Sequence, residues 1–224
     1  MAQIPYSVWR KKLERVYTDQ LRDLIENRHI FAQANQVWKQ YVGKRNGADL
    51  AHWMVQNYWA FAATAIRRIA EPRPRKPRNG QKTISLVILL EDLADNNKLL
   101  SREWYISQYR KGTIRDRFGN REFSSLAGST SARYMPRRRI RSDIRHITRA
   151  ARPMKLLTDK VIAHTEEDRR KAGRPTSAQI DKAVDVLVDI YKRYYSLLNA
   201  STLDTCRAAA DVDVSGDLKK IWPE

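Results

Sequence analysis

The residues best equipped for chemistry in this chain are arginines. Arg138, Arg141, Arg145, Arg149 and Arg152 lie three or four positions apart, so a helix would line them along one face. Arg137 and Arg139 join Arg138 at its start. A guanidinium is a permanent cation with a planar fork of donors, and phosphate oxygens fit that fork. These seven are the candidate nucleic-acid ligands. Other chemistries find little support. The histidines, at 29, 52, 146 and 164, lack zinc-ligand spacing. No glycine loop is built to cradle a phosphate, and no acidic pair suggests a two-metal site. The residue pattern calls for no cofactor and no metal. What remains is metal-independent phosphoryl chemistry or binding alone.

The charge is distributed to match. The chain has 224 residues and a formal net charge of +18. Residues 111–152 hold twelve Lys/Arg against three Asp/Glu, and residues 71–82 hold five against one. Such an excess attracts polyanions and makes their binding salt-dependent. Hydrophobic residues make up 42% of the chain, enough for a core. No apolar run approaches the length of a membrane span, and the basic N-terminus does not read as a secretory signal. Cys206 is the only cysteine, which excludes an internal disulfide and makes a reducing cytoplasm the expected location.

The elements that must position these residues read as helical. A first block covers Ser7 to Val42, as one helix or as two broken near Asn27. A second runs from Ala48 to just before Pro72. Its apolar repeat of Leu50, Met54, Tyr58, Phe61, Ala65 and Ile69, widened by Trp53, Trp59 and Ile66, predicts a helix central to the core. Core packing is the expected role of Trp53, Tyr58 and Trp59. The prolines of 71–80 predict an exposed basic loop. Thr83 to Asn96 is β-branched enough to suggest a strand, but its continuing apolar pattern favours a helix, with another at Ser101 to Arg110. Glycines at 112, 119 and 128 and a Ser/Thr run predict that 111–137 is an inserted loop. Arg137 to His164 returns to helical spacing, with a kink or a fresh helix at Pro153. Thr176 and Gln179 form a capping-box pattern ahead of a last long helix. Residues 201–224 read as a short helix and tail.

Three stretches resemble the HEPN superfamily, and its abortive-infection-like branch in particular. The first is Leu156-Leu-Thr-Asp-Lys-Val-Ile-Ala-His164-Thr, with Pro175-Thr176 opening the next helix. The second is Arg67-Arg68-Ile-Ala-Glu-Pro72. The third is Thr83-Ile-Ser-Leu86 with Leu89-Leu90. The resemblance covers about residues 7–200 with a gap at 111–137. It implies an all-α, antiparallel helical bundle with an N-terminal helical extension and a basic inserted loop, as one domain over 1–200. It also implies RNA as a partner, a homodimer, and a metal-independent ribonuclease or a defence-type protein, with a cognate antitoxin or another acidic protein as a further partner. In the family, a histidine near a helix end moves the proton of the RNA 2′-OH, and an arginine four to six residues earlier steadies the phosphate. His164 matches the histidine. The aligned arginine position is Thr158; Asp159 lies five residues before His164 and Lys160 four, where its ammonium would help, so His164, Lys160 and Asp159 are the candidate catalytic residues that the resemblance implies. Arg141 and His146 satisfy the spacing literally, without matching flanks. Three readings follow: a HEPN-like RNA-binding protein that does not cleave, an active ribonuclease using His164, and a helical interaction scaffold.

Overall fold

The computed structural model describes residues 6–39, 48–74, 83–109, 113–158 and 175–201. His164, Lys160, Asp159, residues 75–82 and the expected helix within 201–224 lie outside them. The described residues are helical: α1 (Tyr6–Val16), α2 (Arg22–Lys39), α3 (Ala48–Ile69), α4 (Leu86–Asp95), α5 (Arg102–Ser107), α6 (Thr113–Ala127), α7 (Arg137–Leu157) and α8 (Ser177–Asn199). Among them there is no strand, only an isolated antiparallel bridge between Ser101 and Tyr134. The expected all-α class is what the chain adopts.

The chain groups into two compact units. The first comprises Met1–Tyr17, Ile69–Ala150 and Asp185–Leu203. In it α1 packs on α4, and α5 on α6. Trp9 and Leu13 of α1, Leu86, Leu90 and Leu93 of α4, and Tyr191 and Tyr194 of α8 are fully buried. Serines cap two of its helices. Ser85 accepts from the Ile88 amide at 3.0 Å, and Ser101 from the Trp104 amide at 3.0 Å. The Ser85 cap opens a helix over Leu86–Asp95, so this stretch is helix rather than strand.

The second unit comprises Thr18–Arg68, Ala151–Val184 and Asp204–Glu224. Leu24 of α2, Ile66 of α3, Met154 of α7 and Ile180 of α8 are among its buried residues. Phe31 stacks on Tyr58 with ring centroids 4.1 Å apart. The capping box forms as its spacing predicts. The Thr176 amide donates to Gln179 Oε1 at 2.9 Å, and the Gln179 amide to Thr176 Oγ1 at 3.2 Å.

Four expectations need correction. The first block departs from regular helix at Tyr17–Leu21, a π-helical turn, and not at Asn27. Asn27 sits inside α2, where its amide donates back to the Asp23 carbonyl at 2.8 Å. In α3 the buried residues include Ala51, Tyr58, Ala62, Ala63 and Ile66, whereas Trp53 is 62% exposed and Leu50 and Phe61 are exposed too. The helix is apolar nearly all round, so its pattern does not say which arc turns inward. Of the kink or fresh helix expected at Pro153, the fresh helix is excluded, since Pro153 lies within α7.

The fourth correction concerns 111–137, where α6 occupies most of the expected loop. Gly119 is not a breaker there. A Cβ at that position would come 3.2 Å from Ile106 Cγ1, so the glycine lets α6 approach the α5 side closely. Gly128, at φ +66°, is the helix stop. Its amide donates to the Ser125 carbonyl at 3.2 Å, and the Ser129 amide to the Ser124 carbonyl at 3.0 Å.

Candidate nucleic-acid interface

The candidate interface is built on α7. This helix has a sharply divided surface because its apolar residues recur at helical spacing: Ile140, Ile147, Ala151, Met154 and Leu157 are buried. Arg137, Arg138, Arg141, Arg145, Arg149 and Arg152 are all exposed. At 3.6 residues per turn they occupy an arc of about 120°. Arg139 falls outside that arc. It is half-buried, and its Nε has no hydrogen-bond partner among the described residues.

The only acid on the helix is Asp143, and it points inward. Asp143 is buried, accepting from Arg193 Nη1 at 2.6 Å and from the Tyr194 hydroxyl at 2.9 Å. Burial, and then the carboxylate of Asp143, push the Tyr194 hydroxyl well above its ordinary value, so it stays a donor. This cluster fixes the rotation of α7 about its axis within the first unit. It was not evident from the sequence, since its members lie 50 and 51 residues apart.

The stripe itself has two parts. Arg137 and Arg141 both donate to Asp95 Oδ1, at 2.9 and 3.2 Å, at the end of α4. Arg138, Arg145, Arg149 and Arg152 have no acidic partner among the described residues. By helical periodicity those four fall within about 60° and extend over about 21 Å of helix axis. Three arginines also open α7, with no acid in its first turn. Cations at a helix N-terminus oppose the helix dipole, at about 0.3–1 kcal/mol each. Asp95 offsets that for Arg137.

The alternative catalytic pair, Arg141 and His146, lies on one continuous helix, about 140° apart around it. Arg141 turns to Asp95, and His146 is exposed. Thr158, at the aligned arginine position, is buried, and its hydroxyl donates to the Lys155 carbonyl at 3.0 Å. It is occupied by the helix end itself. Among the described residues no group of histidine, cysteine or carboxylate side chains could hold a metal. No helix there is long and apolar enough to cross a membrane.

A family model described as HEPN AbiU2 matches residues 9–214. The chain belongs to the HEPN AbiU2 family. It is therefore an abortive-infection-type HEPN protein, as the three quoted stretches implied. The matched range includes α6 and α7, so the arginine stripe lies within the part of the chain this HEPN family describes. No curated protein and no solved structure matches the chain.

Proposed function

We propose that this HEPN protein binds RNA through the outer face of α7, as a binding member of a defence or toxin–antitoxin system. One observation carries the reading. Arg138, Arg145, Arg149 and Arg152 have no acidic partner among the described residues and lie along about 60° of a helix whose opposite face is buried. Four guanidiniums carried in line on a packed helix suit a phosphate backbone, because the helix fixes their spacing before the ligand arrives. Binding without cleavage is favoured by Thr158, which supplies no cation where the family places its arginine. Removing one such charge-stabilising donor commonly lowers rate by about 10²–10³. An acidic protein such as an antitoxin fits the same face by charge and would compete with RNA there.

The test combines two assays. The chain, a His164→Ala variant, and a variant with Arg138, Arg145, Arg149 and Arg152 all changed to Gln are incubated with RNA in EDTA. Intact RNA, a salt-sensitive gel shift with the parent and with His164→Ala, and no shift with the four-glutamine variant are expected. RNA cut by the parent and spared by His164→Ala would replace binding with catalysis. No shift with any form at low salt would leave a scaffold.

A further inference from the structure

α6 carries a different arrangement of the same charge. Phe118 is 50% exposed, which is unusual for so large an apolar side chain. Arg117 and Arg121 beside it are exposed and have no acidic partner among the described residues. Phe118 and Arg121 are three apart and therefore neighbours on the helix surface. Asp116, the acid of the first turn, lies about 160° round the helix from Phe118.

The phenyl ring is also held in place. Tyr109 meets it nearly edge-to-face, with ring centroids 6.0 Å apart at 80°. Tyr109 is anchored in turn. Its hydroxyl donates to Glu122, and the Tyr105 hydroxyl reaches the same carboxylate oxygen at 2.9 Å. The two tyrosine hydroxyls are 2.9 Å apart, and Tyr105 is fully buried. Glu122 is thereby engaged with the tyrosines. Burial and Glu122 push the Tyr109 hydroxyl up to about 12, so the anchor keeps its proton at any ordinary pH. The result is a ring with solvent over part of its surface, with Arg121 beside it and Arg117 about 100° round the helix, neither having an acidic partner among the described residues.

Aromatic rings and flanking cations are what unpaired nucleotides need, because every base has a π-face and every linkage a charge. α7 has no Phe, Tyr or Trp, and its exposed His146 lies about 60–120° round the helix from the four stripe arginines, so the stripe would hold backbone whether or not bases are paired. We propose that α6 is a second nucleic-acid site, at which one unpaired base stacks on Phe118 and its adjoining phosphates meet Arg117 and Arg121. This rests on the RNA-binding reading of α7 and adds to it a preference for single-stranded RNA.

The test compares two probes with the full chain: a 14-nucleotide single-stranded RNA and the same strand annealed to its complement. Phe118→Ala should weaken single-strand binding roughly 5- to 100-fold and leave the duplex unchanged. Phe118→Trp should restore it. Phe118→Leu keeps apolar bulk against Tyr109 without a π-face, so it should behave as the alanine variant does. Single-strand binding that ignores Ala and Leu alike, or equal losses on both probes, would overturn the α6 site and leave α7 standing. Failure of the parent to bind either probe at low salt would remove both.

Discussion

Arg102 and the arginines on the outer face of α7 are the same residue type held in opposite ways. Arg102 Nε donates to the Ala132 carbonyl at 3.0 Å. Its Nη1 reaches the Asn120 carbonyl and side chain, each at 3.1 Å, and Ser124 Oγ at 3.0 Å. Its Nη2 reaches the Thr130 carbonyl at 2.8 Å. The guanidinium also lies 4.9 Å from the Phe123 ring centroid. It ties the end of α6 to the segment that follows. Arg138, Arg145, Arg149 and Arg152 have no such acceptors among the described residues. A net charge of +18 does not tell these two kinds of arginine apart, but their partners do. Charge already satisfied within the fold serves stability. Charge left without a partner is available to a ligand.

The comparison can be tested first where charge is most deeply engaged. Asp143→Ala leaves Arg193 without its buried partner and should lower stability by about 3 kcal/mol in urea unfolding. Arg193 keeps some solvent contact, which holds the loss near the lower end of the usual range. Folded Asp143→Ala protein should still bind RNA. Arg102→Ala should lower stability by about 1–3 kcal/mol and speed hydrogen exchange at residues 128–134, again with RNA affinity unchanged. A larger loss of RNA affinity from Arg102→Ala than from the four-glutamine α7 variant would erase the distinction between the two regions.

Asp95 lies between those extremes, because it engages two stripe arginines at the surface. Asp95→Asn should release Arg137 and Arg141 and tighten RNA binding severalfold. In fluorescence anisotropy the slope of log K against log salt should steepen by up to about 2, a change opposite in sign to that of the arginine variants. Weaker binding by Asp95→Asn would mean that the ion pairs hold α7 in its binding conformation.

The smallest effect belongs to the second unit. The Tyr58 hydroxyl is buried with no hydrogen-bond partner among the described residues. Burial, and then Asp181, push it up to about 12. Because this folded value lies above the ordinary value near 10, the contribution is complete below about pH 10 and is lost as pH rises toward 12. Tyr58→Phe should therefore leave thermal stability at pH 7 unchanged or raise it by up to about 1 kcal/mol, and flatten its decline above pH 10. A clear loss at neutral pH would show that the hydroxyl has a partner.

Much of this was legible where the signal is local. Thr176 and Gln179 sit three residues apart, and the box they announce is present. The α7 arginines recur at helical spacing and do share a face. What was not legible depends on residues far apart in the chain. Gly119 reads as a breaker until Ile106 is placed against it. Trp53 belongs to a helix with apolar residues on every side, and only packing chooses the arc that turns inward. Asp95 lies 42 and 46 residues from the arginines it holds, so no spacing rule links them. His164, the candidate histidine, lies outside the described residues, whereas Thr158 is buried with its hydroxyl donating to the Lys155 carbonyl.

The most direct measurement of the central claim is the salt dependence of RNA binding by the parent and the four-glutamine α7 variant. If the four unpaired arginines each displace a counterion from single-stranded RNA, log K should fall with log salt at a slope about 3 units steeper for the parent than for the variant. Equal slopes would show that the outer face of α7 is not where the RNA lies.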